Sequence, residues 1–342
     1  MFEIYNNRIY TDAVRKIADS MPEEKLSFLV TGGTGLIGSC IVDVLIEASK
    51  TRDYKIYVLD ISSERMKSRF SGYEKSLVFI EQNICDQLDP SNHYDYIIHT
   101  ASMADPKSYA LYPVETILIN VMGARNVLEY CRNRNTRVLL TSTFEVYGKL
   151  DKDVYTEDDF GLIDYNQLRA CYPESKRTAE LLFRTYNSEF NVDCVIARLA
   201  SIYGPTMQKK DSKAHAQFIS NAVRGESIVL KSEGLQRRTY CYLMDAVSGL
   251  LTVLLNGTSG EAYNIANCDS IASIAEVAQC VAEISGTKVV YDQPSEIEQK
   301  GFSKPQNCIL KSKKIESLGW KGLYNLKQGL YDSIEILKSL DK

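Results

Sequence analysis

Apolar residues in the first 200 positions fall in short continuous runs separated by polar, glycine-bearing turns, the signature of parallel strands buried on both faces. Residues 28–30, 55–59, 77–80, 94–101, 137–141 and 192–199 are such runs. Between them the period lengthens to that of helices. Residues 39–48 are apolar-rich, 62–71 polar, 113–134 apolar on more than one face, and 173–190 open on a proline, which a first helical position tolerates. Regular alternation of strand and helix predicts an α/β fold with a doubly wound parallel sheet. In front of it, residues 1–26 form an N-terminal extension in which Val14, Ile17 and Met21 mark a short amphipathic helix over 11–21, packed on the domain or on a second subunit. From residue 201 the turn content rises and regular alternation is lost. Residues 201–342 are read as mostly a smaller, discontinuous substrate-binding lobe, with some segments returning to the domain of residues 27–200. Residues 310–320 and 326–337 read as terminal helices, with Trp320 as a packing anchor.

Size and composition narrow the chemistry. A chain of 342 residues, 44% hydrophobic and 25% charged, builds a sizeable globular core. The net charge of −4, with no basic stripe interleaved with aromatics, argues against nucleic acid. No apolar stretch is long enough to cross a membrane and the N-terminus has no basic-then-apolar leader, so a cytoplasmic protein is expected. The nine cysteines are dispersed without a CxxC pair and read as reduced, mostly buried thiols; the three histidines lack ligand spacing, so no metal is expected.

The segment FLVTGGTGLIG places Gly32, Gly35 and Gly38 between a strand end and a helix start, and Asp60 closes the next strand. Glycines there let the backbone approach a pyrophosphate, whose charge meets free amides and the positive end of the helix dipole. A carboxylate at Asp60 accepts the two ribose hydroxyls of an adenosine and repels a 2′-phosphate, which selects NAD over NADP. Such turns also occur where a helix merely packs on a strand; strand, turn, helix, strand and acid in register favour the dinucleotide reading. Asn83, at the end of the third strand, can meet the adenine amino group, and residues 101–109 pass close to the nicotinamide and sugar.

Tyr172 and Lys176, in YPESK, share one helix face. A phenol ionises near pH 10, too high for a base at neutral pH. A neighbouring ammonium, the helix dipole and a positive nicotinamide ring would each lower it. Ser142 and Thr143 arrive at the same crevice from the strand before, and the Thr143 hydroxyl can orient the same substrate oxygen.

The glycine pattern, Asp60, the run from Ser142 to Gly148 and YPESK together resemble the extended branch of the short-chain dehydrogenase/reductase superfamily, from about residue 27 to the C-terminus. HTASMADPKSY, TSTFEVYG, RACYPESKR and GLQRRTY look most like UDP-glucuronate decarboxylases, with nucleotide-sugar 4,6-dehydratases as near relatives. The resemblance implies a Rossmann-type sheet, a tightly held NAD, a nucleotide-sugar substrate oxidised at C4, and a homodimer. It implies Tyr172 as base, Lys176 as its partner and nicotinamide-ribose ligand, Thr143 as the hydroxyl partner and Glu145 as a further catalytic acid residue. Cofactor contacts would be Gly32, Gly35, Leu36, Ile37, Gly38, Asp60, Asn83, Ile84, Ala101, Ser102 and Asn120, with Tyr172 and Lys176. Substrate contacts would be Lys107, Tyr109, Phe144 and Arg238, the last on the pyrophosphate.

Four positions depart from the relatives. Phe144 stands where dehydratases place an aspartic acid and decarboxylases a serine; it cannot protonate a leaving hydroxyl, which argues against ordinary 4,6-dehydration. Ser201 replaces an asparagine, Thr206 an arginine, and Lys107 an uncharged residue. Lys107 either holds a carboxylate or is solvated; Glu145 and Arg238 also admit reading as a capping acid and a surface ion pair. The expected activity is decarboxylation after C4 oxidation, with a 4-epimerase or dehydratase-like enzyme as the alternative. A non-catalytic NAD-binding subunit is a third reading, against which the intact Tyr172 and Lys176 argue.

Overall fold

The computed structural model describes residues 2–208, 211–302 and 306–340. Helix α1 (Arg8–Ala18) precedes β1 (Leu26–Thr31), α2 (Leu36–Ser49), β2 (Tyr54–Asp60), α3 (Ser63–Arg69), β3 (Leu77–Glu81) and β4 (Tyr96–His99). Then come α4 (Pro106–Leu111), α5 (Pro113–Cys131), β5 (Arg137–Thr143), β6 (Val154–Tyr155), α6 (Cys171–Phe190) and β7 (Cys194–Leu199). The C-terminal part holds β8 (Ser201–Tyr203), α7 (Ala214–Val223), β9 (Ile228–Leu230), β10 (Arg237–Tyr242), α8 (Leu243–Asn256), β11 (Ala262–Ile265) and β12 (Ile271–Ser273). It closes with α9 (Ile274–Ser285), β13 (Val289–Tyr291), α10 (Glu296–Gly301), β14 (Ile309–Leu310), α11 (Lys313–Glu316) and α12 (Leu326–Leu340).

Seven parallel strands form the central sheet in the order β11-β7-β5-β4-β1-β2-β3. Successive residues of each strand enter opposite core layers, because side chains alternate across a pleated sheet. Phe28, Val30, Ile56, Val58, Ile98 and Leu139 join α2 and α8 on one face. Leu29, Tyr57, Ile97, Val138 and Leu140 meet Ala124, Val127 and Leu128 of α5 and Ala179 and Phe183 of α6 on the other. This two-sided burial explains the continuous apolar runs in the sequence.

Strand order reverses at β1 and β4, so a crevice opens beyond their carboxyl ends. Residues after position 200 roof it: β8, β10 and β12 form a three-stranded sheet, β9 pairs with β13, and β11 returns to the edge of the central sheet. Helix α1 begins earlier than its apolar spacing indicates and packs on α2, with Val14, Ile17 and Met21 buried.

Two further boundaries differ from the sequence reading. Residues 310–320 are not one helix: Ile309 and Leu310 pair with Val154 and Tyr155 as a strand, and only Lys313–Glu316 is helical. The strand pairing across 155 residues overrides a local helical pattern. Helix α6 starts at Cys171 rather than Pro173, so Tyr172 lies inside its first turn. Trp320 is buried, and its indole donates to Ser248 at 2.9 Å. No helix among the described residues is long and apolar enough to cross a membrane.

Candidate active site

The glycine turn is shaped by contacts that only hydrogen fits. Gly32 adopts φ +66°, and a Cβ there would lie 2.7 Å from the Ala101 Cα. At Gly38 a Cβ would lie 2.5 Å from the Gly32 carbonyl oxygen and 2.8 Å from Thr100 Oγ1. Gly35 is the exception: its missing side chain faces open space, touching only the Gly32 oxygen at 3.2 Å. The N-terminus of α2 has no side-chain cap, and Gly35, Leu36, Ile37 and Gly38 line the crevice. This cradle fits a dinucleotide pyrophosphate, which would be held by the amides of that first turn. Gly38→Ala should therefore abolish NAD retention and lower the melting temperature by several degrees, read by calorimetry with and without NAD.

Asp60 is buried beside the turn. Its Oδ2 accepts the Thr34 amide at 3.0 Å and the Thr34 hydroxyl at 2.6 Å, and its Oδ1 accepts the Ile61 amide at 2.9 Å. Arg65 lies 3.3 Å from Oδ1, a neighbour that sequence reasoning missed. Other expected cofactor contacts lie at varied depth. Asn83 Oδ1 accepts the Cys85 amide in a turn, and Ile84 points into the core with its carbonyl taken by Asn126 at 2.9 Å. Ala101 borders Gly32, while Ser102 lines the crevice and donates to Asn120 at 2.8 Å. Asn120 is buried behind that wall and donates to Ser175 at 2.9 Å, bracing β4's loop against α6.

Strand β5 ends in the second half of the crevice. Ser142 turns away, donating to Glu180, which is paired with Arg198. Thr143 faces inward, and its hydroxyl accepts the Glu145 amide at 3.3 Å. Across from it, Tyr172 stacks on Tyr109 with ring centroids 4.4 Å apart. Lys176, one turn on, is buried and donates to the Thr141 carbonyl at 3.0 Å. Phe144, Glu145, Arg169, Lys213 and Arg238 complete the wall, with Lys107 exposed at the rim; the cleft measures about 1530 Å³. Arg238 lies over the Phe144 ring at 5.5 Å, an arrangement in which an aromatic face steadies a cation.

The electrostatics correct one expectation. Burial, then the negative charge of Glu145, push the Tyr172 phenol upward, and the hydrogen-bonding hydroxyls of Thr143 and Tyr109 and the Arg169 charge only partly oppose this. Burial outweighs the lowering that the spacing suggested from Lys176, and it brings Lys176 itself down to about 8. Glu145 stays below the usual carboxylate range despite its burial, because Arg169 binds it at 2.5 Å and Arg238 and Lys213 add positive charge. Arg169 was missed by sequence reasoning although it sits three positions before Tyr172, where a short 3-10 turn aims it into the cleft.

The profile of the NAD dependent epimerase/dehydratase family matches residues 28–266. UDP-glucuronic acid decarboxylase 6 of Arabidopsis thaliana is 33% identical over 315 residues, covering 90% of this chain and 88% of that protein. UDP-glucuronic acid decarboxylase 1 of Xenopus tropicalis is 28% identical over 334 residues, 97% of this chain and 76% of that one. Among solved structures, UDP-glucuronic acid 4-epimerase from Bacillus cereus, in complex with UDP-glucuronic acid and NAD, superposes with a TM-score of 0.79 at 22% identity, covering 92% of this chain and all of that one. UDP-glucose 4-epimerase from Thermotoga maritima gives a TM-score of 0.79 at 23% identity over 93% of this chain and all of that one.

Proposed function

Because the chain belongs to the NAD dependent epimerase/dehydratase family, we propose that its cleft oxidises C4 of a nucleotide sugar and that the sugar is a uronic acid, which then loses its carboxylate. The observation that carries this reading is the convergence of Thr143, Tyr172 and Lys176 on a cleft that begins at an open glycine cradle and contains an ionised Glu145. Bound along that cradle and Asp60, NAD supplies the hydride acceptor for C4. Tyr172 takes the C4 hydroxyl proton, Thr143 orients that oxygen, and Lys176 favours the charged phenolate. A ketone at C4 stands β to the carboxylate carried on C5. The electron pair of the breaking bond passes to the ketone oxygen as carbon dioxide leaves, so this step needs no acid at the position of Phe144; a proton then adds at C5, and return of the hydride to C4, with the proton held by Tyr172 going to the C4 oxygen, would give the pentose. Arg238, Lys213 and Lys107 offer positive charge to the diphosphate and the carboxylate.

Incubation with UDP-glucuronate should release carbon dioxide and form a UDP-pentose; recovery of neither rules out this substrate. A 4-epimerase is the second reading, favoured by Phe144, since epimerisation needs no proton donor there either. The stereochemistry of products from a panel of nucleotide sugars separates the two. The dispersed, mostly buried thiols support a reducing, cytoplasmic setting.

A homodimer through α5 and α6 is part of the proposal. Val114, Ile117 and Leu118 on α5 and Leu181 on α6 stand 42–62% exposed, and an apolar face on two packed helices suits an isologous four-helix contact. Leu118→Glu should convert the protein to a monomer by light scattering, with a lower melting temperature that no longer depends on protein concentration.

A further inference from the structure

Asp43 lies in the middle of α2, 1% exposed, in a helix that is otherwise almost wholly apolar on its buried positions. The proposed chemistry does not use it. Its carboxylate is bonded by the Arg69 guanidinium, from the end of α3, and by the hydroxyls of Tyr5 and Tyr10 from the N-terminal extension. Arg69 also donates to Tyr5 Oη at 3.0 Å and lies over the Tyr5 ring at 5.7 Å. A buried ion pair adds little net stability, because desolvation offsets the attraction, but it holds its elements in one geometry. The element held here is α3. One turn earlier, on the same helix face, Arg65 bonds Thr34 Oγ1 at 2.5 Å and approaches Asp60 Oδ1 at 3.3 Å. Thr34 and Asp60 are the adenosine-ribose side of the glycine turn. Two arginines four residues apart therefore tie α3 to the buried acid at one end and to the ribose acid at the other.

We propose that the N-terminal extension, which lies outside the family match, is a brace for the adenosine half of the cofactor site: Tyr5 and Tyr10 hold Arg69 on Asp43, which fixes α3 and sets Arg65 against Thr34 and Asp60. The inference rests on the reading of the cleft as an NAD site. Tyr5 and Tyr10 are positioning residues: they bond Asp43 and Arg69 and do not line the cleft. The extension is anchored for this purpose: Ile4 is buried in the core, Asn7 caps α1 and bonds Ser339 of α12, and the Tyr54 hydroxyl donates to the Pro22 carbonyl.

The test is calorimetric titration of the full-length chain, freed of bound nucleotide, with AMP, nicotinamide mononucleotide, UDP and NAD. In the Tyr5→Phe/Tyr10→Phe double variant the rings keep their packing and the hydroxyls are lost. AMP and NAD affinities should fall at least fivefold while those for nicotinamide mononucleotide and UDP stay within twofold. Arg65→Gln, at a half-exposed position that folding tolerates, should show the same AMP-selective loss, and adding it to the tyrosine variant should weaken AMP no further. AMP affinity unchanged or tighter, equal loss for all four ligands, or additive losses would each overturn the brace. A parent protein that binds UDP but neither AMP nor NAD overturns the cofactor reading itself, and the brace with it.

Discussion

Tyr172→Phe is expected to retain NAD, melt within a few degrees of the parent and lose about three orders of magnitude in turnover, the middle of the range for a positioned acid–base group. Phenylalanine preserves the ring that stacks on Tyr109, so packing and the shape of the cleft survive. What disappears is one oxygen. A thousandfold loss corresponds to about 4 kcal/mol of barrier, more than a buried hydroxyl contributes to stability, so the activity and melting data separate the two roles. The comparison uses kcat at saturating nucleotide sugar together with the NAD content of the purified variant; near-normal turnover would remove Tyr172 from the mechanism.

The pH profile follows from the same environment. Burial and Glu145 raise the phenol, so the reactive phenolate is scarce at neutral pH and the parent's rate should climb as pH rises. Lys176, brought down to about 8 by burial, is charged below that pH and neutral above it. Its help to the phenolate is present on the acid side and fades above 8, so the climb should flatten there. A rate that falls steadily from pH 6 upward would contradict both directions.

How much of this could be read from the chain depends on how far apart the partners are. The glycine turn, Asp60 and the Tyr172–Lys176 pair are spacings within a strand-turn-helix unit or a single helix turn, where local geometry dictates neighbours; Gly35, Gly38, Tyr172 and Lys176 line one cleft, with Asp60 buried beside the turn. The pair of Glu145 with Arg169 spans 24 residues, Ser142 with Glu180 spans 38, and Tyr10 with Asp43 spans 33. Those contacts depend on how loops close over the sheet, and nothing in local periodicity specifies them. The direction of the Tyr172 shift was misread for a related reason. Spacing shows that a lysine is near, but not that the phenol lies buried beside a carboxylate, and burial is the larger effect. Ser142, likewise delivered by β5, turns to Glu180, a buried charge already paired with Arg198 that still needs partners for its oxygens.

Glu145→Gln should divide the reaction rather than abolish it. Arg169, Arg238 and Lys213 hold Glu145 below the usual carboxylate range, which in the proposed reaction suits a base or a fixed negative charge rather than an acid. Glutamine keeps the shape and one acceptor oxygen for Arg169 but loses the charge. Oxidation at C4, which needs Tyr172, Thr143 and the cofactor, should proceed, seen as near-ultraviolet absorbance from reduced cofactor when the nucleotide sugar is added. Release of final product should drop about a hundredfold, within the range for removing one general acid–base group, so that the absorbance persists instead of decaying. The substitution also removes a negative charge that raises the Tyr172 phenol, and the pH limb of the oxidation step should therefore move to lower pH. Equal loss of both steps, with no such shift, would instead make Glu145 a residue that only positions Arg169 against the Tyr109 and Tyr172 rings.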